Sequence, residues 1–263
     1  MLDEKIRSAL DGHFLIEFGA SFSELREGEI KIVTTVRREA RRFAGYLLPV
    51  WIARKEDMCI ISVSPELRSK VKSCFDGLTT KDMFSEEGLS IAASLAKTVN
   101  GSIWNRGPYF FNSPQTFKPC RFYEVTEIKE CNKDVFVKYK DWFGSFDDYW
   151  NEWKHNTRVF TIFKSSIPVS TSYTMTISKR AWEYAVWTCD EYRGKGYGKS
   201  VVSAAVEETL KCEKLPLYST SWYNIASIRL AESLGFQFYC ENYAIKIPPE
   251  NILVQPNRPK IEW

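Results

Sequence analysis

The sequence predicts a mixed α/β fold, and three features of its second half carry that prediction. Two strand-like runs, RVFTIFK at 158–164 and VSTSYTMTIS at 169–178, flank a short Ser-Ser-Ile-Pro turn and pair as a hairpin. A further run, WEYAVWT at 182–188, leads into a glycine-rich stretch that opens a helical pattern. A strand, a helix and a last strand follow. Strands alternating with helices in this way read as an α/β or α+β domain.

The helix after the glycines is expected over 200–211, with Val202, Ala205, Val206 and Thr209 at i, i+3, i+4 and i+7. Pro216 is expected to close that region, and 217–222 then reads as a strand. Asn224 can cap a helix that runs to Leu234, with Gly235 just past its C-terminus. Residues 236–247 form the last strand region. Upstream, 134–142 and 146–153 read as tryptophan-rich helices, and the Asn105-Arg106-Gly107-Pro108 and Asn112-Ser113-Pro114 stretches read as connectors. Two domains are expected, 1–115 and 116–263.

Composition narrows the function classes. The chain has 263 residues, is 44% hydrophobic and carries a net charge of only +3 with both signs mixed, so nucleic acid is not expected as a partner. No apolar run is long enough to span a membrane, and the charged start, MLDEKIR, lacks a signal-peptide core, so a cytoplasmic protein is expected. The seven cysteines are odd in number, scattered and without a Cys-x-x-Cys pair, so free thiols are expected rather than disulfides or a zinc site. With His13 and His155 the only histidines, no metal is expected.

The stretch DEYRGKGYGKS, 190–200, raises the question of what it cradles. The P-loop spacing fails, because the position five before Gly198 is Arg193. The dinucleotide spacing fails in both registers, at Lys199 and at Val201. What remains is Arg-x-x-Gly-x-Gly, read as Arg193, Gly196 and Gly198. Gly194, Gly196 and Gly198 let an anion approach the backbone N–H groups. The helix N-terminus adds partial positive charge, and Arg193, Lys195 and Lys199 add full charges. A pyrophosphate suits such a place; a tight surface turn is the bland alternative.

DEYRGKGYG after a strand resembles the acetyl-CoA loop of the GNAT superfamily of N-acetyltransferases. NIASIRLAESLGFQFY, 224–239, resembles that family's Asn-x-x-(Ala/Ser)-x-x-Leu-x-x-x-x-Gly-Phe helix and following strand. The resemblance covers about 120–247. It implies a GNAT fold, a mixed twisted central sheet flanked by helices. It also implies an acetyl-CoA-dependent N-acetyltransferase acting on a small-molecule amine, with no metal, as a monomer or homodimer. Acetylation of a protein or peptide, or CoA binding without catalysis, stand as the alternatives.

By the same resemblance, residues Arg193, Gly194, Lys195, Gly196, Tyr197, Gly198 and the adjoining Lys199 hold the coenzyme pyrophosphate. The strand from Ala185 through Trp187 to Thr188 pairs its backbone with the pantetheine arm. Asn224 and Ser227, one turn apart, contact the far end of the arm and the adenosine part; simple N-capping by Asn224 and an indifferent helix position for Ser227 are the alternatives. Glu183, between Trp182 and Tyr184, is the candidate base or else an edge carboxylate. Many family members carry a tyrosine where this chain has Ala231, so the acid is expected elsewhere, with Tyr239 and Tyr223 as candidates, or water. Asp147, Asp148 and Glu152 among Tyr149, Trp150 and Trp153 suit a cationic acceptor, or form the wet face of an amphipathic helix.

Residues 61–74, ISVSPELRSKVKSC, set Glu66, Arg68 and Lys70 at one constant offset from Glu191, Arg193 and Lys195, with Ser69, Val71 and Ser73 in place of the glycines. This reads as a degenerate second GNAT-like copy, or as an ordinary helix start capped by Ser64 with Pro65 at its first position. Taken whole, the chain resembles the tandem GNAT enzymes of the zwittermicin- and paenilamicin-resistance type, which implies self-resistance to an antibiotic.

Overall fold

The computed structural model describes residues 3–39, 46–128 and 158–251. The tryptophan-rich stretches at 134–142 and 146–153, and with them Asp147, Asp148 and Glu152, lie outside the described residues. The fold is mixed α/β. In chain order its helices are α1 (Glu4–Phe18), α2 (Arg68–Cys74), α3 (Glu86–Lys97), α4 (Tyr197–Lys211) and α5 (Ile225–Ser233). Its strands are β1 (Ile30–Thr34), β2 (Leu47–Lys55), β3 (Met58–Val63), β4 (Ser102–Phe111), β5 (Thr126–Ile128), β6 (Val159–Lys164), β7 (Ile167–Ser178), β8 (Ala181–Thr188), β9 (Leu215–Ser219) and β10 (Gln237–Ile247).

The chain divides into two compact units. The first comprises Met1–Tyr109, Thr220–Tyr223 and Phe238–Trp263; the second comprises Phe110–Ser219 and Asn224–Gln237. Sequence places one boundary near residue 115. The compact units change over between Tyr109 and Phe110, and a late stretch of chain returns to the first.

In the first unit β2 and β3 form an antiparallel hairpin, β3 pairs in parallel with β1, and β10 pairs antiparallel with β2 from Glu241↔Arg54 to Ile247↔Leu47. Helix α1 begins at Asp3, whose carboxylate accepts from Lys5 N–H, and ends at Gly19 with φ 83°. It buries Leu10, His13, Phe14, Glu17 and Phe18, one helical stripe. The core below joins Val50, Ile52, Ile61 and Val63 of the strands to Val71 of α2, Ala92 and Leu95 of α3, and Tyr243 and Ile245 of β10. Each large apolar side chain buried there contributes about 1.5–3 kcal/mol. Burial pushes the thiol of Cys59 up to about 12, so it stays protonated and inert. Among the described residues Cys59, Cys74, Cys120, Cys189, Cys212 and Cys240 are all free thiols.

The second unit carries the features that sequence singles out. Its strands lie in the order β9-β8-β7-β6-β5, with only the β8–β9 pair parallel. The hairpin between β6 and β7 turns at Ser165 (φ 48°) and Ser166 (φ 66°). The predicted stripe of α4 is buried throughout: Val202, Ala205, Val206 and Thr209, together with Val201. It packs with Phe160, Ile162, Val169, Tyr184, Tyr218, Ala231, Leu234 and Phe236.

One strand differs from the sequence reading. Pro216 does not close the helical region but lies inside β9, which runs Leu215–Ser219 rather than 217–222. Proline lacks only the N–H, and its carbonyl still accepts from Asn112 N–H at 2.9 Å, so a place near the start of a strand suits it.

Candidate active site

The glycine loop links β8 to α4. After Thr188 a short 3₁₀ turn, Asp190–Tyr192, leads to Gly194 at φ 72° and Gly196 at φ 87°. Both angles are left-handed, where glycine has no Cβ penalty. Gly196 is the N-cap of α4 and brings no capping side chain. The helical ladder starts with Ser200 N–H to Gly196 O at 3.0 Å, so the N–H groups of Tyr197, Gly198 and Lys199 precede any intrahelical acceptor. The first turn holds no acidic residue that would compete for them. An anion is the natural partner for such a helix end.

The three glycines differ in their surroundings. A Cβ on Gly194 would meet nothing within 4 Å, so that position is open. On Gly196 it would meet Phe122 Cδ2 at 3.1 Å. On Gly198 it would meet Thr188 Oγ1 at 3.1 Å and Leu230 Cδ1 at 3.4 Å, so that glycine allows α4 to sit close to β8. Close approach of a ligand is therefore best served at Gly194 and the helix N–H groups. Gly196 is needed for its backbone angle and for the side chain above it.

That side chain belongs to a stretch sequence did not connect with the loop. Tyr123 donates its hydroxyl to Lys195 O at 2.8 Å, and its ring stacks on Tyr197 with centroids 3.9 Å apart. Tyr197 is thus turned inward and anchors the loop. Lys164 Nζ lies 5.8 Å from both ring centroids. Phe122 is 72% exposed, an aromatic face beside the glycine loop. Arg193 is exposed, donates to Thr188 O at 3.2 Å and pairs with Asp190 at 2.9 Å. Lys195 donates to Glu191 O at 2.9 Å. Exposed contacts of this kind stabilise little, so both cations can turn to a ligand at small cost. Lys199 is half-buried in the first turn.

The strand side of the site is set by one register. The parallel pairing of β8 with β9 runs Ala181↔Leu215, Trp182↔Pro216, Glu183↔Leu217 and ends there. Beyond that point β8 continues five residues, through Trp187 to Thr188, paired on its other side with β7 as far as Thr188↔Ser170. Glu183, at the last paired position, is 5% exposed, and Ser219 Oγ donates to its carboxylate. Ser219 lies two residues beyond the register partner Leu217 and so shares its face. Thr188 Oγ1 and Ser170 Oγ are 2.8 Å apart.

On α5, Asn224 does act as the N-cap: its Oδ1 accepts from Ser227 N–H at 3.1 Å. Ser227 Oγ lies 2.9 Å from Tyr218 Oη. Ala231, one turn further on, is fully buried. Gly235 has φ 83°, and a Cβ there would lie 1.8 Å from Thr116 O, so the residue is required sterically as well as for the turn. Tyr239 belongs to the first unit, where its ring sits against Phe14 (5.2 Å) and Phe22 (6.0 Å), and burial pushes its phenol up.

The model of the GNAT acetyltransferase family matches residues 111–245, just over half of the chain. The chain belongs to the GNAT acetyltransferase family. Solved structures similar to this GNAT acetyltransferase include an acetyltransferase from the GNAT family of Colwellia psychrerythraea, at 11% identity over 76% of this chain and 81% of that one, TM-score 0.46. A GCN5-related N-acetyltransferase from Kribbella flavida is similar at 16% identity over 59% of this chain, which spans 63% of that protein's length, TM-score 0.45. The yncA protein of Salmonella typhimurium, whose structure is with its cofactor acetyl-CoA, is similar at 15% identity over 51% of this chain and 99% of that one, TM-score 0.35. No curated protein matches the sequence. Among the described residues no helix is long and apolar enough to cross a membrane, and no group of three or more His, Cys, Asp or Glu could hold a metal ion.

Proposed function

We propose that this GNAT acetyltransferase moves the acetyl group of acetyl-CoA to a primary amine of a small molecule, with an antibiotic as a candidate acceptor. One observation carries the reading. β8 leaves its parallel partner at Glu183 and runs straight from there to the glycine loop. Five residues of extended strand measure about 17 Å, a span suited to an arm joining a pyrophosphate to a thioester. The residues present fit the coenzyme: Gly194 is open, the first-turn N–H groups of α4 have no helical acceptor, and Arg193, Lys195 and Lys199 supply positive charge.

In this reading Arg193, Gly194, Lys195, Gly196, Tyr197, Gly198 and Lys199 form the phosphate cradle, with Tyr197 acting through its backbone. The backbone at Trp187 and Thr188 lines the arm, and Asn224 and Ser227 stand at its far side. Acetyl-CoA, when bound, supplies the activated acetyl group. Glu183 takes the proton that the ammonium must lose before it can attack, with its carboxylate held by the Ser219 hydroxyl. A second reading, coenzyme binding without transfer, is favoured by Ala231, which has no proton to give.

The test is a screen of primary amines with acetyl-CoA, read by mass. The expected result is one acceptor gaining a single acetyl group while free CoA appears in equal amount. Coenzyme binding with no CoA release for any amine or peptide would favour the second reading.

We also propose that residues 1–115 bind no coenzyme, whether or not they descend from a second copy of the tandem, antibiotic-resistance type. β3 runs into the 3₁₀ turn Pro65–Leu67 and then α2, the order expected. Val71, where a loop glycine would stand, is fully buried in the core of the first unit, and the Arg68 guanidinium is held by the Thr34 hydroxyl at 2.7 Å. Calorimetry should therefore give one acetyl-CoA per chain; two would overturn this.

A further inference from the structure

Two hydroxyls beside the parting of β8 and β9 have no part in the proton transfers so far. Tyr218 is the first residue of β9 beyond the last paired position, Leu217. It is 2% exposed, its ring lies 5.6 Å from that of Phe236, and its hydroxyl is 2.9 Å from Ser227 Oγ. Ser227 is half-buried in the first turn of α5, with its N–H held by Asn224. The pair therefore runs from a dry end at Tyr218 to an open end at Ser227.

Either hydroxyl can donate in this pair; with the phenol, the stronger acid of the two, as donor, the serine proton is left for a further acceptor. Burial pushes the Tyr218 phenol up; the bond to Ser227 opposes that rise and the Glu183 carboxylate adds to it. The phenol is thus protonated at neutral pH and can only give a proton. Alternation along β9 sets Tyr218 and Ser219 on opposite faces. The hydroxyl pair and the Glu183–Ser219 pair accordingly flank one strand end from two sides.

We propose that Ser227 donates its hydroxyl proton to the coenzyme sulfur, and that Tyr218 is the positioning residue that holds that hydroxyl as a donor and replenishes its proton. The inference rests on the acetyl-CoA reading above. As the new C–N bond forms and the C–S bond breaks, the electron pair of the C–S bond goes to sulfur, which takes the Ser227 proton. Ser227 takes the proton of Tyr218, and once the product has left a solvent proton returns to Tyr218 by way of Ser227, the open end of the pair. The nitrogen loses one proton before attack and a second as the amide forms; each passes through Glu183 to solvent in turn, one is returned through the hydroxyl pair, and one is released per turnover, so protons and charge balance. Placing giver and taker on opposite faces keeps the two from neutralising each other directly.

The test uses binding and needs no acceptor. Affinities of CoA and of desulfo-CoA, which lacks the thiol, are measured by calorimetry at about pH 9, where the thiolate form becomes accessible. A donated hydrogen bond to a charged sulfur should make CoA bind about tenfold more tightly than desulfo-CoA. Ser227→Ala and Tyr218→Phe should each reduce that gap to about twofold or less by lowering CoA affinity more than desulfo-CoA affinity, and Ser227→Thr should retain it. A gap that survives both substitutions overturns the relay, as does equal binding of the two ligands by the parent. An equal loss of affinity for both ligands also overturns it, because Ser227 would then touch the arm alone and not the sulfur. If the parent binds neither ligand, the acetyl-CoA reading itself falls, and the relay with it.

Discussion

Glu183→Gln should lower kcat by roughly 10²-fold or more, the ordinary contribution of a positioned general base, while acetyl-CoA affinity stays at the parent's value. The substitution keeps the shape of the side chain. Its amide oxygen can still accept the Ser219 hydroxyl, so that contact is kept and the fold should survive. What it removes is the acceptor for the ammonium proton. Rates across a pH series, together with calorimetry on the same preparation, check this. A variant with the parent's kcat and pH profile would transfer the role to water or to another carboxylate. The expectation separates Glu183 from the cofactor loop, since changes there should act on affinity first.

Glu183 also shows how far sequence reaches. Its place on a strand ahead of the glycines is legible from alternation alone. Its partner Ser219 is not, because the two meet only through a parallel pairing in which Glu183 stands opposite Leu217. The same holds for Tyr218 and Ser227, whose contact depends on where α5 packs. Contiguous features read well. The buried stripe of α4 appears as expected from its spacing, and Asn224 and Gly235 bound α5. Local signals mislead where one residue serves two roles. Pro216 looks like a terminator, yet a proline at the second residue of β9 loses only one donor. Non-local pairing is least legible: β10 reaches Tyr243↔Ile52, and no periodicity in either segment announces it. Phe122 and Tyr123 belong to a stretch without strand or helix period, so their closeness to the loop emerges only from the fold.

That closeness shapes the expected result at Gly196. Gly196→Val should weaken acetyl-CoA binding tenfold or more, about 1.4 kcal/mol, with the rest of the second unit still folded. Two separate physical effects act. At φ 87° a branched residue is strained, and relief requires the loop to rotate away from the start of α4. Independently, even the Cβ would stand 3.1 Å from Phe122 Cδ2, and the valine methyl groups extend further. The two effects can be told apart because Phe122 is exposed and expendable to the core. Adding Phe122→Ala removes the contact and leaves the backbone angle untouched. If the strain dominates, the double variant should bind no better than Gly196→Val alone. If the contact dominates, most of the affinity should return. The first outcome is expected. A phenyl edge on the surface can rotate away at little cost, whereas the left-handed angle is fixed by the turn that aims the first N–H groups of α4. Unchanged affinity in a folded Gly196→Val variant would show that these N–H groups do not hold the coenzyme phosphates.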